Sequence, residues 1–241
     1  MGRSVPLNDV RAARRIAAVS AEFERSWSRL LAAPGWWPAR SQVECTRLLR
    51  ANPDPREVLT SADFLVALGR SLRQWKAFRG VPFEGARLAE AMSRVAPMLG
   101  EWRTVSLMHA APRVGESLMQ VFEAVRDVKP TARKWVATSK LLHHLLPDLV
   151  VPMDNEIVAP FFGRAALPAA FEASFLAEAY AAFVELAAGI GARRLRTAAN
   201  AVPYPVAGAD RRDCRIGAAR VVDFAIAGFV LEHGRTALRT L

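Results

Sequence analysis

Apolar residues recur at every third or fourth position along almost the whole chain, the spacing that draws one face of a helix. Over residues 7–31 the stripe is Ile16, Val19, Phe23, Trp27, Leu30 and Leu31, and Arg14, Arg15, Arg25 and Arg29 take the other side. Ala33-Pro34-Gly35 ends that helix, and Trp36-Trp37-Pro38 makes a stiff connection that leaves both tryptophans partly exposed. Ser41, with Glu44 at capping-box spacing, predicts a second helix to about Ala51, and Asn52-Pro53-Asp54-Pro55 is a breaker. A third helix spans Ser61 to Phe78, with Phe64, Leu68, Leu72 and Trp75 on one stripe, and Arg79-Gly80-Val81-Pro82 closes it. Further helices are predicted over 83–99, 103–110, 114–127 and 131–146.

The stretch Leu149 to Met153 is apolar, short and bounded by prolines, which suits an extended connection or one buried strand. Asp154 then opens a helix to about Phe162, Pro168 to Gly189 is a long Ala-rich helix, and Ala192 to Ala201 a shorter Arg-rich one. Val202 to Asp213 is the longest loop. The last helix, Arg215 to Thr240, is apolar on nearly every side from Val221 to Leu231, the mark of a core helix. Strands do not alternate with these helices, so the expected fold is all-α. It is a compact multi-helix domain over 1–241, compatible with two closely packed lobes, 1–112 and 113–241.

A chain of 241 residues that is 52% hydrophobic can bury a sizeable core and is too aliphatic to be disordered. Arg220 and Asp223 interrupt the apolar run nearest to membrane-spanning length, and the polar N-terminus lacks the apolar centre of a secretory signal. Cys45 and Cys214 are too few and too far apart for a disulfide framework or a cysteine-rich zinc site. The expectation is a cytoplasmic protein with no membrane association. The formal net charge of +10 is carried almost wholly by arginine, with lysine only at Lys76, Lys129, Lys134 and Lys140. Arginine forks onto phosphates, so nucleic acid, DNA first, is the expected partner. The arginine clusters Arg193-Arg194-Arg196 and Arg211-Arg212 are the expected phosphate contacts.

The stretch richest in chemistry runs from Pro130 to Val158. Pro130 suits a first helical position. Trp135, Leu142 and Leu146 face the core, while Arg133, Ala137, Lys140 and His144 share the other side as a basic strip. That strip is either a solvated helix face or, with Lys134, a further set of nucleic-acid contacts. Asp154 sits where an N-cap belongs, accepting a bond from a first-turn N–H. The same amides favour negative charge, so this carboxylate can also stabilise a cation or orient a water. Asp223, isolated in an apolar helix, needs a partner if buried, an Arg pair or a backbone cap. His143 and His144 cannot chelate one metal as helical neighbours, and His109 and His233 have no ligand-spaced companions, so no metal site is expected. Glycine-rich phosphate loops and a nucleophile elbow are missing, so no nucleotide cofactor is expected either.

Ser139-Lys140, Leu-Leu-His-His-Leu-Leu-Pro and Val-Pro-Met-Asp-Asn in succession resemble a group of uncharacterised bacterial helical proteins. Leu72 to Gly80 and Arg220 to Ala225 look similar to other blocks of that group. More distantly, the Ser-Lys…Val-Pro-Met-Asp arrangement resembles the helix-hairpin-helix DNA glycosylases. In these a lysine attacks the sugar and a downstream aspartate assists departure of the base. The resemblance implies Lys140 as nucleophile and Asp154 as the assisting carboxylate, acting on a flipped-out base. Val136-Ala137-Thr138 stands where the glycosylase hairpin carries a Gly-hydrophobic-Gly turn. The implied function is a nucleic-acid-associated helical protein of the glycosylase type. The alternative is a non-enzymatic helical module for nucleic acid or a protein partner, in which Asp154 and Asp223 serve structure only.

Overall fold

The structure, a computed structural model, describes residues 10–33, 35, 40–52, 54–131, 134–201 and 205–241. Arg133, Trp36 and Trp37 lie outside the described residues. The described residues form thirteen α-helices and no strand, so the fold is all-α. In chain order these are α1 (Val10–Ala21), α2 (Phe23–Leu31), α3 (Arg40–Ala51), α4 (Pro55–Thr60), α5 (Ala62–Gln74), α6 (Gly85–Val95) and α7 (Val114–Val125). They continue with α8 (Trp135–Leu145), α9 (Val158–Phe161), α10 (Ala173–Ile190), α11 (Ala192–Asn200), α12 (Ala218–His233) and α13 (Arg235–Thr240).

Several expectations change in instructive ways. The first helix bends at Glu22, where the backbone reaches φ −95° and ψ 11°. Arg15, expected outside, is buried and donates from Nε to the Leu238 carbonyl at 2.6 Å. Ser41 does not cap α3, which already includes it; its hydroxyl donates instead to Gln74 Oε1 at 2.7 Å. The breaker at 52–55 also starts a helix, because Asp54 accepts from Arg56 N at 2.8 Å and Pro55 takes an early helical position. Residues 103–110 form turns rather than a helix, and α8 starts at Trp135, not near Pro130. The last predicted helix breaks at Gly234, whose φ of +79° suits glycine, and burial along α12 stops at Val230, leaving Leu231 exposed.

α12 is buried on nearly every side and packs most extensively against α2, while α10 packs against α7 and α1. The first two helices therefore lie against the C-terminal ones, across the 112/113 division that the sequence suggested. α10 has the length and mean hydropathy, 1.4, of a membrane-crossing helix, and half of it is buried inside the fold. Leu149 ends the turn after α8, and Val150, Val151 and Met153 form a buried connection that is neither helix nor strand. Its amides are met by α8 and the turn after it: the Val150 amide donates to the Leu146 carbonyl at 2.8 Å and the Met153 amide to Ser139 Oγ at 2.9 Å, while the Leu107 amide donates to the Asp148 carbonyl just before it at 2.8 Å.

The α2–α12 contact depends on Gly228, where a Cβ would stand 2.5 Å from the Ser26 carbonyl oxygen. That neighbour is backbone and cannot rotate away. Gly228→Ala is expected to destabilise the protein by about 2 kcal/mol in urea unfolding, despite alanine's better helix propensity. An unchanged or raised midpoint contradicts this packing.

Candidate functional site

Trp75 follows the last residue of α5 and sits where α5, α8 and α12 meet. Its ring stacks on His143 at 5.4 Å, leans on His144 at 4.7 Å and carries the Arg220 guanidinium 4.4 Å from its centroid. Arg220 lies equally close to the Phe224 ring and forms an ion pair with buried Asp223, one turn on. This is the arginine partner that the isolated aspartate required. The carbonyls at and beyond the end of α5 also need donors. Lys140 Nζ donates to the Trp75 carbonyl at 2.7 Å, and Lys129 Nζ reaches the Ala77 and Arg79 carbonyls at 3.4 Å.

α8 is enclosed by α3, α5 and α7, and this removes the basic strip expected from its sequence. Ala137 and His144 are buried and Lys140 is half-buried. His143 Nδ1–H donates to the Val150 carbonyl, and His144 Nδ1–H to the Lys140 carbonyl, each at 2.7 Å. His144 Nε2 accepts from the Ser71 hydroxyl at 2.7 Å, which fixes a neutral tautomer. Burial pushes the His143 imidazole well below the usual histidine range, with Arg220 adding to the effect, and pushes His144 down to about 4. His144 therefore offers a phosphate no positive charge.

Asp154 Oδ1 accepts from Glu156 N at 2.9 Å and Ile157 N at 2.6 Å, holding the turn that leads into α9. Lys140 and Asp154 feel each other's charge, and among the described residues no ion pair joins them. Burial lowers the Lys140 pKa, and Asp154 and Asp223 oppose the shift. The arrangement satisfies both groups through backbone partners while leaving the amine half-buried.

A cavity of about 640 Å³ lies at the other end of α8, and neither Lys140 nor Asp154 lines it. Its walls hold Arg50, Arg103, Arg211, Arg212 and Arg215 against one carboxylate, Asp148, with Trp102 and Asn200 among the other lining residues. Asp148 is already used: it accepts from the Ala218 amide at 2.9 Å and pairs with Arg215 at 3.2 Å. Arg50 pairs with Asp213, and Arg103 donates to the Leu49 carbonyl at 2.8 Å. The exposed side chains of Arg211 and Arg212 have no ion pair or hydrogen bond among the described residues. The cavity is thus strongly cationic. Its walls meet because Gly217 presses against the turn after α8, where a Cβ would stand 1.9 Å from the Pro147 carbonyl oxygen.

The other sequence-predicted contacts divide. Arg193 and Arg196 are exposed on α11 and share a stripe with Asn200, at spacings of three and four, so the stripe leads to the cavity. Arg194 pairs with Glu24 at 3.2 Å and Lys134 with Asp127 at 2.6 Å. Sequence reading missed Trp75, Asp148, Trp102, Arg50, Arg103 and Arg215. Arg215 was within reach as the next arginine after Arg211-Arg212, whereas the others come from segments joined only by folding. No protein-family model, curated protein or solved structure matches the chain.

The buried imidazoles make stability depend on pH. Their folded-state pKa lies below the unfolded value, so their contribution is full above about pH 6.5 and is lost as pH falls below it, toward about 4 for His144. Burial raises Asp223 to about 6, and its contribution is present at low pH and lost as pH rises through that value. The two effects oppose each other in the same window. NMR titration is expected to show both imidazoles neutral from pH 7.5 to 5, and Asp223→Asn to steepen the acid-side loss of stability. Protonation of either ring near pH 6.5 contradicts the assignment.

Proposed function

We propose that the protein is a nucleic-acid-binding helical module that holds phosphates in its arginine cavity and along α11. The observation that carries this reading is the convergence of five arginines on one concavity, two of them without an ion pair or side-chain hydrogen bond among the described residues. Like charges gathered at one place repel, and an anion relieves that repulsion. The Arg193–Arg196 stripe extends the cationic track beyond the cavity mouth. Binding of a labelled oligonucleotide is expected to weaken steeply with salt. Arg211→Ala with Arg212→Ala should reduce the salt slope by about two, since each phosphate contact adds roughly one. No binding at low salt, or a slope unchanged in the variant, overturns the reading.

A second reading, base excision by Lys140 and Asp154, is favoured by one observation. Burial lowers the Lys140 pKa, which makes the amine a readier nucleophile, and Asp154 lies within its electrostatic reach. Borohydride trapping on DNA with a panel of damaged bases tests it. A covalent adduct lost in Lys140→Gln supports excision. No adduct from the wild-type protein, with Lys140→Gln and Asp154→Asn binding normally, leaves both residues as backbone-holding groups. Asp154→Asn keeps the cap, so its stability should change by less than about 1 kcal/mol.

A further inference from the structure

We infer that the cavity takes one nucleoside monophosphate moiety, its phosphate monoester among the arginines and its base against Trp102. This rests on the nucleic-acid reading and names the part of the nucleic acid that enters. Size is the first argument. A volume of about 640 Å³ admits a single nucleotide and excludes a duplex, so a strand can enter only by its end or by one displaced unit.

Charge supplies the second argument. Arg215 and Arg50 already face Asp148 and Asp213, which leaves Arg211 and Arg212 unpaired among the described residues, two positive charges where one bridging diester supplies a single negative one. A monoester carries close to two charges at neutral pH and three terminal oxygens, and so matches several guanidinium forks at once. Asp148 holds Arg215 and the Ala218 amide, and leaves Arg211 and Arg212 to the ligand.

Composition of the wall supplies the third. Trp102 is half-buried and lines the cavity, which gives an aromatic surface for a base, and the Asn200 side chain can both donate to and accept from a base edge. Asn200 ends the α11 stripe that begins with Arg193 and Arg196. A strand whose last nucleotide sits in the cavity would therefore lay its preceding phosphates toward those arginines. The same moiety could arrive free in solution or as a phosphorylated strand end, and the chemistry of recognition is shared.

Fluorescence anisotropy would compare single-stranded oligonucleotides bearing a 5′-phosphate, a 3′-phosphate or only hydroxyl ends. Calorimetry would add free nucleoside monophosphates and ribose 5-phosphate. One phosphorylated end should bind at least about tenfold tighter than the hydroxyl control, and a free nucleoside monophosphate should compete. The preference should vanish in Arg211→Ala/Arg212→Ala, whose exposed positions keep the fold intact, and persist in Arg14→Ala, which lies outside the cavity. Trp102→Leu should cost roughly tenfold in nucleoside monophosphate binding and leave ribose 5-phosphate unchanged. Equal affinity for phosphorylated and hydroxyl ends overturns the inference while sparing the nucleic-acid reading. Binding of a free nucleoside monophosphate with no binding of any oligonucleotide does the reverse. Ribose 5-phosphate binding as tightly as a nucleoside monophosphate overturns the part assigned to the base.

Discussion

Trp75 is the point on which the arrangement of the helices depends. Its ring joins His143 and His144 of α8 to Arg220 of α12, and its carbonyl holds Lys140. Asp223 is buried and the Arg220 side chain is only 12% exposed, and an ion pair so enclosed contributes little net stability, because desolvation offsets most of the attraction. Removing one partner would nonetheless leave a bare charge in the core. The pair and the stacked rings therefore act chiefly by making other registers of α12 costly, while the apolar surface around them supplies the stabilisation.

That fixed register has a consequence at the far end of α8. With α12 seated, Gly217 meets the Pro147 carbonyl and Asp148 caps the first turn of α12 through the Ala218 amide. The segment before α12 must then turn back over the end of α8, which places Arg211, Arg212 and Arg215 opposite Arg50 and Arg103. The cationic cavity is thus produced by the core's own closure. His144 connects the two regions, since it contacts Trp75 and also lines the cavity, and it remains neutral in both settings.

The all-α class and most helix positions were legible because the three-and-four spacing is strong in this chain. Its failures have local causes. At 103–110 apolar residues have helical spacing but the chain forms turns, and the Asn52-Pro53-Asp54-Pro55 punctuation hid a cap and a first helical residue inside a breaker. The side of α8 carrying Lys140 and His144 looked like a solvated strip because periodicity reports which residues share a face, not what covers it. Three helices cover α8, and Lys140, His143 and His144 pair with backbone carbonyls and Ser71. Of the cavity, Arg211, Arg212 and His144, with the α11 stripe leading to it, were visible in sequence, and His144 is neutral there rather than a cationic contact. The remaining arginines and Trp102 are brought together by contacts over long sequence separations.

The central claim is that the cavity, rather than the general positive surface, is where nucleic acid is held. Arginine-selective modification with phenylglyoxal, read residue by residue by mass spectrometry, tests it most directly. With a phosphorylated single-stranded oligonucleotide bound, Arg211 and Arg212 are expected to be protected strongly and Arg196 partly. Arg14 and Arg70, which are exposed away from the cavity, should react as in the free protein. Uniform protection of all exposed arginines, or none at Arg211 and Arg212, would contradict the account.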